Sequence, residues 1–187
     1  MNFNKNGDFI ITSEEIIHFF SQALKRLINE DSFLLKSGVQ ERSIQFKLGV
    51  YLRELFSFAE CGGLNIDVEY NRDGKSNVKR PNPDCEHFSK NKWIAPDIIL
   101  HERGSADFKS DNKYKNDIIF CEIKKNGKNN PKRIKEQMKI RKYKYGIDLY
   151  LLTPKKISLD LYTQDNIQRQ YEFNFKTQML EEIKQYD

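Results

Sequence analysis

The chain has 187 residues, 38% of them hydrophobic and 32% charged. This is enough for one well-buried core, too short for two ordinary domains, and well away from the composition of disordered chains. Lys and Arg total 32 against 27 Asp and Glu, a formal net charge of +5, which suits a phosphate-bearing partner without being diagnostic of one. The opening residues Met1 to Asn6 are polar and no apolar stretch follows them, so no signal peptide is predicted. No stretch approaches the length of a membrane span. Thr12 followed by Glu15 forms a capping-box pattern, and Ile16, Ile17, Phe19, Phe20, Ala23, Leu24, Leu27 and Ile28 continue at helical spacing. A first helix is therefore predicted over Ser13–Glu30, followed by a connection over 31–38. A second helix is predicted over 39–58, with Ile44, Leu48, Leu52, Leu55 and Phe56 as its apolar positions. Cys61-Gly62-Gly63 ends it, and the alternation of Ile66-Asp67-Val68-Glu69-Tyr70 predicts a strand. Residues 71–91, with Pro81, Pro83 and many charges, read as a long loop.

Two short apolar runs come next, Trp93 to Leu100 and Asp117 to Lys125, joined by a charged linker over 102–116. Both are rich in β-branched and aromatic residues and read as strands. A turn over 126–131 places Pro131 in the first turn of a basic helix over 131–143. A strand over 147–152 follows, then a hairpin from 157–162 and 168–175, and a closing helix over 176–186. The predicted class is α/β: helices flanking a mixed sheet, in one domain covering 1–187.

The chemistry-bearing residues lie at the ends of the two central strands. Pro96-Asp97 falls within the first run, and Glu122-Ile123-Lys124 closes the second. Side chains alternate along a strand, so Glu122 and Lys124 share a face. Two carboxylates and an ammonium at strand ends need a partner to offset their desolvation, and a divalent cation is the natural one. Mg²⁺ takes oxygen ligands from one or two carboxylates, waters and substrate phosphates, so phosphodiester cleavage leads the functional hypotheses. Glu41 opens the second helix, and at ~100° per residue Leu48 and Leu52 flank it at ~20° on either side. Glu41 thus sits in the buried stripe, whereas Glu54 falls on the polar face. Compensation of the helix dipole is the other account of Glu41.

Glu41 on the helix before the sheet, Pro96-Asp97, and Glu122-x-Lys124 together resemble the PD-(D/E)xK nuclease superfamily, the fold of many type II restriction enzymes and of several repair nucleases. Glu41-Arg42, Glu69-Tyr70-Asn71-Arg72, Pro96-Asp97-Ile98-Ile99-Leu100-His101 with Arg103-Gly104, and Glu122-Ile123-Lys124-Lys125 look like a group of small bacterial members predicted to be such nucleases. The resemblance spans about Glu41 to Leu152. It implies a restriction-endonuclease-like αβββαβ core over 39–153, with additions at 1–38 and 154–187. It further implies a Mg²⁺-dependent endonuclease, with Mn²⁺ able to substitute, acting on DNA foremost. Asp97 and Glu122 would ligate the metal together with the Ile123 carbonyl. Glu41 would bind a second metal or a metal-bound water. Lys124 would orient the attacking water and help deprotonate it, or stabilise the transition state.

Asn71, Arg72, Arg103 and Lys125 are candidates for phosphate contacts, solvated surface charge being the alternative for each. The helix with Lys132, Arg133, Lys135, Lys139, Arg141 and Lys142 is a candidate for backbone tracking or simply a wet face. Trp93, Tyr70 and Phe88 could stack on bases or pack in the core. His18 is expected in the core, and His101 is left ambiguous. Cys121 is expected as a small buried hydrophobe. Cys61, Cys85, His87 and His101 match no recognised zinc module. A reducing cytoplasm fits this cysteine usage. Two functions of other classes compete with the enzyme: a nucleic-acid-binding or assembly module without turnover, and a protein-interaction subunit of a larger defence or mobile-element system. A homodimer suits any nuclease that cuts both strands of a duplex.

Overall fold

The computed structural model of the chain describes residues 2–3, 9–36, 39–58, 64–69, 72–73, 77–78, 96–102, 117–125, 131–153, 155–165 and 167–186. Its elements run β1 (Asn2–Phe3), β2 (Phe9–Ile10), α1 (Ser13–Glu30), α2 (Ser32–Lys36), α3 (Glu41–Phe58), β3 (Leu64–Val68), β4 (Arg72–Asp73), β5 (Asn77–Val78), β6 (Ile98–Glu102), β7 (Asp117–Lys124), α4 (Pro131–Arg141), β8 (Tyr145–Thr153), β9 (Lys156–Thr163), β10 (Gln168–Asn174) and β11 (Met179–Tyr186). Seven strands form one mixed sheet in the order β11-β10-β9-β8-β7-β6-β3. Within it only β7 and β8 pair in parallel, because α4 carries the chain across between them.

The sheet has two unlike faces. One is packed by α1 and α3, where Ile16, Phe20, Leu24, Leu48 and Leu52 close over Ile98, Cys121, Ile123, Ile147 and Leu149. Burying each such Leu, Ile or Phe contributes roughly 1.5–3 kcal/mol relative to leaving it exposed. Thr12 and Glu15 start α1 with the expected reciprocal cap: Glu15 N donates to Thr12 Oγ1 at 3.2 Å and Thr12 N to Glu15 Oε2 at 2.9 Å. The second face is covered by α4, whose Ile134 and Met138 pack with Ile99, Phe120, Tyr143 and Tyr162. No helix among the described residues is long and apolar enough to cross a membrane.

The close approach of α4 to the sheet depends on Gly146 in β8. A Cβ there would lie 2.3 Å from Ile134 Cγ2 and 2.6 Å from Met138 Sδ. The β-branched Ile134 has little rotamer freedom in a helix to move aside. Gly146→Ala is therefore expected to destabilise the fold by about 1–3 kcal/mol, read as a lower midpoint in urea unfolding. A midpoint equal to the parent's would show that α4 shifts without cost.

Three expectations are corrected. The closing helix over 176–186 is strand β11, paired antiparallel with β10 from Asn174↔Met179 to Gln168↔Tyr186. Its Met, Leu, Glu and Lys favour a helix locally, but the ladder outweighs that preference. Buried Ser21 of α1 also accepts a bond from Leu180 N at 3.0 Å, tying the strand to the helix. The connection after α1 contains a short helix, α2. His18 is exposed rather than in the core, because it points away from the stripe of Ile16, Ile17 and Phe20.

Candidate active site

The site lies where the start of β6, the end of β7 and the first turn of α3 meet. Asp97 directly precedes β6, and since Ile98 pairs with Cys121, it falls one step along the same ladder, beside Glu122. Its Oδ2 accepts a hydrogen bond from Ile123 N at 2.6 Å. Lys124 Nζ lies 3.1 Å from Glu122 Oε2, 3.3 Å from the Ile123 carbonyl oxygen and 3.8 Å from Asp97 Oδ2. The three groups expected to surround a metal therefore converge on one cationic nitrogen. The pleat explains half of this, by placing Glu122 and Lys124 on one face; the β6–β7 register supplies Asp97.

Burial dominates the electrostatics. Glu122 has a 4% exposed side chain, and its carboxyl is pushed up to about 7 by desolvation and by neighbouring Asp97, against the pull of Arg133 and Lys124. Asp97 is also raised, by desolvation above all, with the Ile123 N–H and the Lys124 charge opposing. For Lys124, burial works against the ammonium, but the carboxylates of Glu122, Asp97 and Glu41 outweigh it and raise its pKa. As arranged, Lys124 is a charged donor, not a neutral base.

Glu41 reaches the site through the backbone. Its Oε2 accepts from Lys125 N at 2.8 Å, and its Oε1 lies 3.4 Å from Gln45 Nε2 on the next turn. It stands close enough to act electrostatically on both Asp97 and Lys124. Among the described residues no three His, Cys, Asp or Glu side chains form a ready cation-binding group; Glu41 is bonded to the backbone at the end of β7. What remains is two carboxylates and a carbonyl, an all-oxygen set suited to Mg²⁺ or Mn²⁺ with waters completing the shell. Glu122 Oε1 strengthens the fit. It is buried and, among the described residues, accepts no hydrogen bond and has the Arg133 guanidinium 3.0 Å away as its ion-pair partner.

Lys125 is placed apart from Lys124. The pleat sends its side chain to the face opposite Lys124, where its ammonium donates to the carbonyls of Leu34 and Val39 at 3.3 and 3.2 Å. It braces the start of α3. Arg72 lies in β4 and its side chain is not described. Asn71, Arg103, Trp93, Tyr70, Phe88, Cys61, Cys85 and His87 lie outside the described residues. His101 pairs with Asp67 at 2.8 Å, and Cys121 is fully buried.

Sequence reasoning missed a carboxylate row. Glu122 pairs in register with Asp148, and Asp148 with Asp160. Both aspartates are 1% exposed. Asp160 is pushed up to about 6 by desolvation and then by Asp148. The signal was present in Ile147-Asp148-Leu149-Tyr150 and Leu159-Asp160-Leu161-Tyr162, each a lone acid at an alternating position inside an apolar strand. Arg133, noted only as one charge in a basic helix, proves to be the group on α4 that meets Glu122. Searches of protein-family models, curated proteins and solved structures find no match for this chain.

Proposed function

We propose that the chain is a divalent-cation-dependent nuclease that hydrolyses phosphodiester bonds in nucleic acid, DNA foremost, on a restriction-endonuclease-like core. The observation that carries this is the convergence of Asp97, Glu122 and the Ile123 carbonyl around the Lys124 ammonium. Apart from the short β4–β5 pair, which forms its own two-stranded sheet between β3 and β6, the order α3-β3-β6-β7-α4-β8 supports the core, being the helix, three strands, helix and strand expected from the resemblance. Asp97, Glu122 and the Ile123 carbonyl would hold Mg²⁺ or Mn²⁺, with Glu41 close by. The bound cation would lower the pKa of water and offset charge on the phosphoryl oxygens. The chain's own groups do the rest. Lys124 presents a positive donor to a non-bridging oxygen of the phosphate, where charge grows in the transition state. The Ile123 N–H holds Asp97 in its rotamer, and the Lys125 N–H holds Glu41 over the strand end.

Incubating supercoiled plasmid with the protein in Mg²⁺, Mn²⁺ or EDTA tests the proposal. The expected result is metal-dependent nicking that disappears in Asp97→Ala and in Lys124→Ala. Nucleic-acid binding without cleavage under any metal would instead favour a module that keeps the fold without turnover.

A further inference from the structure

Helix α4 contains five basic residues, Lys132, Arg133, Lys135, Lys139 and Arg141, and one acidic residue, Glu136. At ~100° per residue, Lys132, Lys135 and Lys139 fall within an arc of about 60°, whereas Arg133 lies about 160° around from Lys135. The surroundings agree with this. Arg133 meets Glu122 on β7 at 3.0 Å, while Lys135 Nζ stands 5.6 Å over the Tyr162 ring on β9. All three lysines are exposed, and no ion pair among the described residues engages them. Lys142, just past the helix end, is exposed as well. The ridge is held in place from below, because Ile134 and Met138 close on Gly146 with no room for another carbon.

We infer that the Lys132–Lys135–Lys139 ridge is a docking surface for the phosphate backbone of a nucleic acid lying across α4. The inference rests on the hydrolytic function proposed above and extends it: the substrate is a polymer, held electrostatically and without regard to base sequence. The ridge spans about 10 Å, from seven residues at ~1.5 Å each, and lies about one helix diameter (~10–12 Å) from Glu122. A strand rises ~3.4 Å per nucleotide, so about three nucleotide steps match its length. A polyanion with one phosphate at Lys124 lays its neighbours over the helix toward β9. Lysines suit this task as point charges that neutralise phosphate and release counterions without reading bases.

The test measures binding of two unrelated 20-base-pair duplexes by fluorescence anisotropy over a range of salt concentrations, in EDTA so that no cleavage occurs. The variants are the triple Lys132→Gln, Lys135→Gln, Lys139→Gln and the single Lys139→Gln. The triple variant is expected to bind both duplexes at least about tenfold more weakly at 50 mM salt. Its slope of log K against log salt should be shallower by about 2.7, and that of the single variant by about 0.9. Melting temperatures should match the parent's, since all three side chains are exposed. Parental affinity and slope in the triple variant would overturn the inference. So would a loss confined to phosphatidylserine vesicles with duplex binding unchanged, which would make the ridge a membrane contact. If the parent nicks plasmid and the triple variant binds duplex as the parent does, the ridge alone falls. If duplex binding drops in the variant while the parent never nicks plasmid, the ridge stands and the hydrolytic function falls.

Discussion

Glu122→Gln is expected to abolish metal-dependent cleavage and, in the same protein without metal, to raise stability at pH 8. The two effects share one cause. The Glu122 carboxyl is buried and titrates at about 7 in the fold, against 4.5 for an ordinary glutamate. Below about pH 4.5 the carboxyl is neutral in both the folded and unfolded chain, so it favours neither. Between about 4.5 and 7 only the unfolded chain ionises, and the fold loses stability as pH rises. Above 7 the loss levels off at about 3 kcal/mol, from ~1.4 kcal/mol per unit. Glutamine keeps the shape without the proton equilibrium and escapes that loss. Thermal melts in EDTA should therefore show the variant several degrees more stable at pH 8, with the gap closing toward pH 4.5. Arg133 and Lys124 lose a carboxylate, but each side chain keeps about a quarter of its surface in water, 25% and 26%, so both can rehydrate. Adding Mg²⁺ at pH 8 should then raise the melting temperature of the parent and leave the variant unmoved. A variant less stable than the parent at pH 8 would mean that the ion pairs outweigh burial.

Lys124→Ala and Asp97→Ala should both remove cleavage but part company on metal binding. Lys124 Nζ occupies the focus of the three oxygens that would receive the cation. Removing it withdraws a competing positive charge and a donor to the phosphate together. Turnover is expected to fall by roughly 10²–10³-fold, the usual cost of losing one transition-state donor, while Mn²⁺ binds as tightly as in the parent or tighter. Asp97→Ala removes a ligand, so affinity and turnover fall together. Calorimetric titration with Mn²⁺ separates the two cases. If Lys124→Ala loses metal affinity to the same degree as Asp97→Ala, the lysine is a prop for the carboxylates and not the phosphate donor.

The elements legible along the chain were those whose signals are local. The reciprocal cap at Thr12 and Glu15 starts α1, and Pro131 begins α4. A short, nearly continuous apolar run marked β7 and β8, because a strand buried on both faces must be apolar nearly throughout. Pairing of Glu122 with Lys124 followed from the pleat alone. By contrast β11 carries a helical composition, and only its ladder with β10 and its seat against Ser21 hold it extended. The turn that delivers it, in which Gln178 adopts a positive φ of 56° and donates to the Asn174 carbonyl at 2.7 Å, leaves no glycine to read.

Neighbours within a few positions were enough to tell which residue types stand at the ends of the central strands and on which side of β7 each one projects. Long-range packing settled that Asp97 slots beside Glu122, that Glu41 binds the Lys125 N–H, that Lys125 braces α3, and that Arg133 reaches down from α4 to Glu122. Those outcomes depend on strand register and on the depth at which α4 rests on Gly146. Both are set by contacts between segments far apart along the chain, and no local pattern encodes them.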